Sequence, residues 1–146
     1  MKPLFSFTAL VLVSFGVAQA SPPTMLDDVS KALSKASKEN KLAFILMGRE
    51  ACGNCQATRK LIKEEQVPVT EDTFVAADID CDDARSRAEF DRKFKKEKFG
   101  STLPFVVIAD SKGKALASYS GFKSAGDLKK LIDDAKGRVA AATPKK

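Results

Sequence analysis

Apolar residues recur at helical spacing at Leu26, Val29, Leu33 and Ala36, behind a stretch, Thr24-Met-Leu-Asp27, that resembles a capping box. The pattern predicts a helix over about 25–38, closing near Glu39-Asn40. Lys41 to Met47, "KLAFILM", is different: a short unbroken apolar run, as expected of a strand buried on both faces. Gly48-Arg49-Glu50 breaks it. A helix is expected from about Cys52 to Glu65, with Leu61 and Ile62 facing inward and Val67-Pro68 as its stop. Thr73 to Ile79, "TFVAADI", reads as a second buried strand. The polar turn Asp80 to Asp83 then opens a helix whose expected apolar side is Ala84, Ala88, Phe90 and Phe94. Pro104 to Ala109, "PFVVIA", and Ala115 to Tyr119 are two further strands. The tight turn Asp110-Ser-Lys-Gly113 between them predicts an antiparallel hairpin. Ser124-x-x-Asp127 opens a last helix with Leu128, Leu131, Ile132 and Ala135 as its stripe, and Gly137 is expected to end it.

The order is α-β-α-β-α-β-β-α. A crossover helix joins the first two strands, which favours parallel pairing. The expected fold class is α/β: a four-stranded mixed sheet, a parallel pair plus an antiparallel hairpin, with helices on both faces. There are no repeats and no sign of a second domain.

The N-terminal residues change the picture of where this domain works. Met1-Lys2 is a short positive start, Leu4 to Val17 is apolar and uncharged, and Ala18-Gln19-Ala20 is an A-x-A cleavage site. Residues 1–20 are therefore expected to be a secretory signal peptide, residues 21–137 the folded domain, and 138–146 a flexible tail. The apolar core is too short for a comfortable membrane span. The expected location is exported, periplasmic or secreted, with no membrane span once the leader is cut. The chain carries 25 Lys and Arg against 19 Asp and Glu, one of the cations being Lys2. The charges are interspersed, which argues against a nucleic-acid partner. The basic run Arg92-Lys93, Lys95-Lys96, Lys98 fits either a docking surface for an acidic partner or a solvated helix face, the plainer of the two. There is no histidine, so the commonest metal ligand and the usual general base are missing.

"GREACGNCQATRK", Gly48 to Lys60, holds two of the three cysteines. A loop that short makes a poor structural staple. The pair follows a buried strand and sits at the first turn of a helix, where unpaired N–H groups and the helix dipole stabilise a thiolate. Cys52 at the cap is expected to have the lowered pKa. Cys55, one turn in and more buried, is placed to attack a mixed disulfide. Two rival readings stay open. Cys52, Cys55 and Cys81 with Asp78, Asp80 or Asp82 would make a zinc site, or the two thiols alone a Cu(I) site, although paired knuckles and histidines are lacking. A non-catalytic binding or adaptor domain would keep the pair as a relic. For Cys81, in "DIDCDD", a partly buried free thiol is the plainer reading, beside a third redox thiol or an intermolecular disulfide.

These segments resemble the thioredoxin-like thiol–disulfide oxidoreductase family. Strand–"ACGNC"–helix is similar to its W-C-x-x-C turn. "TLPFVVIADSKGKAL", Thr102 to Leu116, is similar to its cis-proline strand and hairpin, and "SGFKSAGDLKKLI", Ser120 to Ile132, to its terminal glycine and helix. In style the chain resembles exported domains of the kind that end the disulfide reductase DsbD. The resemblance covers roughly residues 41–136. It implies a thioredoxin-like fold, a redox-active disulfide between Cys52 as nucleophile and Cys55 as resolving thiol, and a cis bond before Pro104. It also implies a substrate-binding surface at Leu103, Pro104, Gly53 and Asn54. No cofactor beyond the dithiol is implied, and the expected partners are protein substrates with thiols or disulfides and an unidentified redox partner, around a monomer.

Three departures matter. Ala51 stands where the family often has Trp. The family's buried acid falls at Leu46 and its lysine partner near Ala76, so both are lost together. Glu50 is then a candidate proton acceptor for Cys55, or an ordinary exposed acid. Asn54 carries no charge where the family's strong oxidants have histidine, which points to a reductase or isomerase rather than a strong oxidant.

Overall fold

The computed structural model describes residues 20–142. The leader expected at residues 1–20 therefore lies, apart from Ala20, outside the described residues. The elements in chain order are β1 (Met25–Leu26), α1 (Val29–Glu39), β2 (Leu42–Gly48), α2 (Gly53–Lys63), β3 (Phe74–Asp80), α3 (Ala84–Lys93), β4 (Phe105–Ala109), β5 (Ala115–Ser120) and α4 (Ala125–Ala142).

They build one five-stranded sheet in the order β1-β3-β2-β4-β5. β2 pairs parallel with β3, Leu42 opposite Phe74 through Gly48 opposite Asp80. It pairs antiparallel with β4, and β4 forms the antiparallel hairpin with β5. β2 is central and every residue in it is buried. Its side chains alternate across the sheet. Ala43, Ile45 and Met47 enter a core with Val29, Ala32, Ala36 and Phe90 from α1 and α3. Phe44 and Leu46 enter a second core with Ile62, Leu128 and Ile132 from α2 and α4.

The fifth strand corrects the four expected from sequence. Met25–Leu26 is not the start of a helix but an edge strand, parallel to Ala76 and Ala77 of β3. The helix begins after it because Asp28, in extended backbone at φ −140°, caps it: its Oδ1 accepts from Lys31 N–H at 2.7 Å. Thr24-x-x-Asp27 and Asp28 are competing start signals four residues apart, and the nearer one to Val29 wins. At the other end Asn40 takes the left-handed conformation, φ 52°, and stops α1.

Two further corrections concern helix faces and ends. Ala84 and Ala88 are exposed. The buried side of α3 is Phe90, followed by Phe94, and Phe99 links Phe90 to Phe105 through ring contacts at 5.6 and 5.0 Å. Large rings satisfy the core and leave the small alanines to solvent. Gly137 does not end α4, which runs to Ala142, past the expected start of the tail at 138. Val139 packs against the second core and Arg138 Nη1 donates to the Leu116 carbonyl at 2.6 Å, and these contacts outweigh the glycine's poor helix propensity. No helix among the described residues is long and apolar enough to cross a membrane.

One polar group is poorly placed in this core. The Tyr119 hydroxyl is buried with no hydrogen-bond partner among the described residues, and burial pushes its pKa upward. An orphaned buried donor costs on the order of 1–3 kcal/mol. Tyr119→Phe is therefore expected to raise stability by about 1 kcal/mol, moving the thermal midpoint up by roughly 3–5 °C in a calorimetric scan. An unchanged or lower midpoint would show that the hydroxyl has found a partner.

Candidate active site

The dithiol turn lies at the C-terminal end of the parallel strands, between β2 and α2. Cys52 is the N-cap of α2, in extended backbone at φ −88°, and its Sγ accepts from Cys55 N–H at 3.2 Å. Cys52 is half-buried, whereas Cys55 is fully buried. The two are bonded to each other, with Cα atoms 5.2 Å apart. One sulfur therefore lies at the rim and its partner lies beneath it.

The floor under Cys55 requires glycine. A Cβ on Gly48 would stand 2.7 Å from Cys55 Sγ and 3.1 Å from its Cβ. Leu46 is the next contact of that position, and with Ala76 it belongs to the second core. The sequence positions of the family's buried acid and lysine are thus apolar on the face below the thiols. Glu50 is exposed.

Three successive carbonyls ahead of Cys52 are held by donors from elsewhere. Gly48 O accepts from Cys81 N–H at 2.8 Å, Arg49 O from Arg59 Nη1 at 3.1 Å, and Glu50 O from Gln56 Nε2 at 2.8 Å. Arg59 is itself clamped by both Asp78 oxygens, at 2.5 and 2.9 Å, and this bonding pushes its pKa above the ordinary value. Such a brace fixes a turn that has only Ala51 where a large ring would anchor it. Sequence reasoning missed Arg59 and Gln56 as site residues, and considered Asp78 only as a metal ligand, not as the clamp on Arg59. The one available signal was Arg59 itself, a cation two turns after Cys52 on the same helix.

The remaining candidates converge on the same rim. The Leu103–Pro104 bond is cis. Asn54 Nδ2 donates to Leu103 O at 3.3 Å, joining the dithiol turn to the loop before β4. Gly121, at φ 78°, donates its N–H to Pro104 O at 3.0 Å. Phe122 follows it and is 47 % exposed. Gly53 and Asn54 are exposed, and a Cβ on Gly53 would meet nothing.

Cys81 is a buried free cysteine. It does not join Cys52 and Cys55 as a third ligand. Among the described residues, the donors close enough to share an ion are Asp80, Cys81 and Asp82, within 4.8 Å of one another, and neither Cys52 nor Cys55 belongs to that group. Arg49 bonds Cys81 and ion-pairs with Asp82 at 2.8 Å, in that order of influence raising its own pKa. The five cations from Arg92 to Lys98 are all exposed. A groove of about 650 Å³ lies beside α2, between Pro22, Pro23 and Met25 and the Arg59–Asp78 pair, but the cysteines do not line it.

The fold is similar to solved thioredoxins. A mutant thioredoxin from Halobacterium salinarum NRC-1 aligns with TM-score 0.57 at 19 % identity, covering 80 % of this chain and 94 % of that one. A chain of the complex between ferredoxin:thioredoxin reductase and thioredoxin f2 aligns with TM-score 0.56 at 17 % identity, covering 80 % and 97 %. No curated protein matches the chain. The model of the thioredoxin-like domain family matches residues 29–136, and with that span, this fold and a bonded cysteine pair at the head of α2, the chain belongs to the thioredoxin-like family.

Proposed function

We propose that the protein is an exported thiol–disulfide oxidoreductase that reduces or isomerises disulfides in protein substrates. The observation that carries this reading is the asymmetry of the pair: Cys52 is a half-exposed helix cap and Cys55 is wholly buried one turn below. A cap thiolate is stabilised by the N–H groups and dipole of the helix start.

In the reduced protein, the Cys52 thiolate attacks one sulfur of a substrate disulfide. A Cys52–substrate disulfide forms and the other substrate sulfur leaves as a thiolate. Cys55, deprotonated, then attacks Cys52 Sγ; the Cys52–Cys55 bond forms and the second substrate thiolate leaves. Two electrons pass from the pair to the substrate. A partner protein carrying a dithiol must return them by the reverse exchange. Gly53, Asn54, Leu103 and Pro104 form the rim along which the substrate chain lies.

The direction follows from Asn54. A neutral residue between the cysteines adds no charge to favour the thiolate, so the reduced form is not specially stabilised. The expected reduction potential is closer to thioredoxin's, about −270 mV, than to that of a strong oxidant, about −120 mV. Two measurements test the reading: insulin reduction by the dithiothreitol-reduced protein, and equilibration of the pair with glutathione. Absence of any reductase activity leaves an adaptor domain, and a potential near −120 mV, on the order of the strong oxidants, reverses the assigned direction.

A further inference from the structure

The backbone groups of the loop before β4 are unequally available to a substrate. Pro104 has no amide hydrogen, and its carbonyl is taken by Gly121 N–H at 3.0 Å. The Leu103 carbonyl accepts the Asn54 side-chain amide at 3.3 Å. Among the described residues the Leu103 N–H has no partner. Leu103 is thus the one residue of this pair that can offer backbone to an incoming chain, and half of what it offers is already engaged.

Asn54 is held in place for that contact. Its own carbonyl accepts from Thr58 Oγ1 at 3.0 Å, and Thr58 is fully buried. The main chain of Asn54 is therefore fixed by a core residue one turn along α2, and only its side-chain amide is exposed to exchange. An extended segment laid beside Leu103 makes two bonds: Leu103 N–H to a substrate carbonyl, and a substrate N–H to Leu103 O. The first is open. The second requires the substrate to take the acceptor from Asn54.

We infer that Asn54 is a specificity-determining residue, a latch on the Leu103 carbonyl that a protein substrate displaces with its own backbone N–H. The inference rests on the reading of Cys52 and Cys55 as a substrate-reducing dithiol. It implies selection at a position next to the substrate's cysteine. A residue with an amide hydrogen there exchanges one bond for another and frees the Asn54 amide to face the substrate. A proline or an N-methylated residue there has nothing to give Leu103, and the latch stays shut.

The test compares substrates rather than absolute rates, so that any general effect of the substitution cancels. A disulfide-linked peptide is offered alongside two versions N-methylated at the residue before or after its cysteine. The ratio of kcat/KM for the unmodified peptide to that for each methylated one is measured in the full chain and in Asn54→Ala. Without the latch, the unmodified peptide bonds Leu103 unopposed, while the methylated one gains nothing at that atom. The ratio is expected to rise in Asn54→Ala by about three- to tenfold for one of the two methylated peptides, as for one neutral hydrogen bond. A ratio that stays the same or falls for both overturns the latch. A wild-type chain that reduces neither peptide nor a small aromatic disulfide overturns the dithiol reading and the latch with it.

Discussion

Cys52→Ser is expected to lower insulin reduction by at least about a thousandfold, the scale of loss when an attacking nucleophile is removed. A serine hydroxyl at the helix cap stays protonated at neutral pH, and only a thiolate attacks a disulfide sulfur at a useful rate. Cys55 cannot take over, because it is fully buried beneath the turn and packed against Gly48. The assay is dithiothreitol-coupled insulin turbidity, with the far-ultraviolet dichroism and thermal midpoint of the reduced proteins as the fold control. A Cys52→Ser variant with wild-type activity would reassign the nucleophile.

Cys55→Ser is expected to do something different: to keep the attack and lose the release. The Cys52–substrate disulfide then has no neighbouring thiol to resolve it and decays only by uncatalysed exchange, over roughly minutes to hours. Turnover falls while a covalent adduct accumulates toward one substrate per protein. Intact-mass measurement after mixing with a disulfide-containing protein reads the adduct, and dithiothreitol removes it. If Cys55→Ser forms no adduct and Cys52→Ser does, the two roles are reversed. If both variants trap substrate equally, the burial difference between the two sulfurs does not decide which one reacts.

The parts of the molecule that were legible in advance are those governed by a strong local pattern. "KLAFILM" and "TFVAADI" form adjacent parallel strands because an unbroken apolar run suits a strand covered on both sides. The turn at Asp110 to Gly113 forms the hairpin, with Gly113 at φ 78°, because only such a residue accepts that backbone cheaply. The dithiol was legible because its spacing and its place after a strand are both specific. What escaped is decided by tertiary contact. Met25–Leu26 becomes a strand because β3 offers it an edge, which two residues of sequence do not announce. Phe90 and Phe94 face inward as expected, but Ala84 and Ala88 do not, because the rings of Phe90, Phe94 and Phe99 meet one another and fill that side. The carbonyl brace of Arg59, Gln56 and Asp78 joins residues up to 19 positions apart, and no periodicity encodes such side-chain bonds.

The two-residue strand β1 also limits how far the N-terminus can be trimmed. It covers Ala76 and Ala77, and Pro22 and Pro23 precede it with no amide hydrogens to recruit another chain; Ser21 O adds a tie to Glu71 N–H at 2.8 Å. A protease that trimmed the N-terminus past Leu26 would bare a sticky border of the sheet and invite copies to zip together. The cut expected after Ala20 would leave that guard intact, so its position would bear on solubility as well as on delivery.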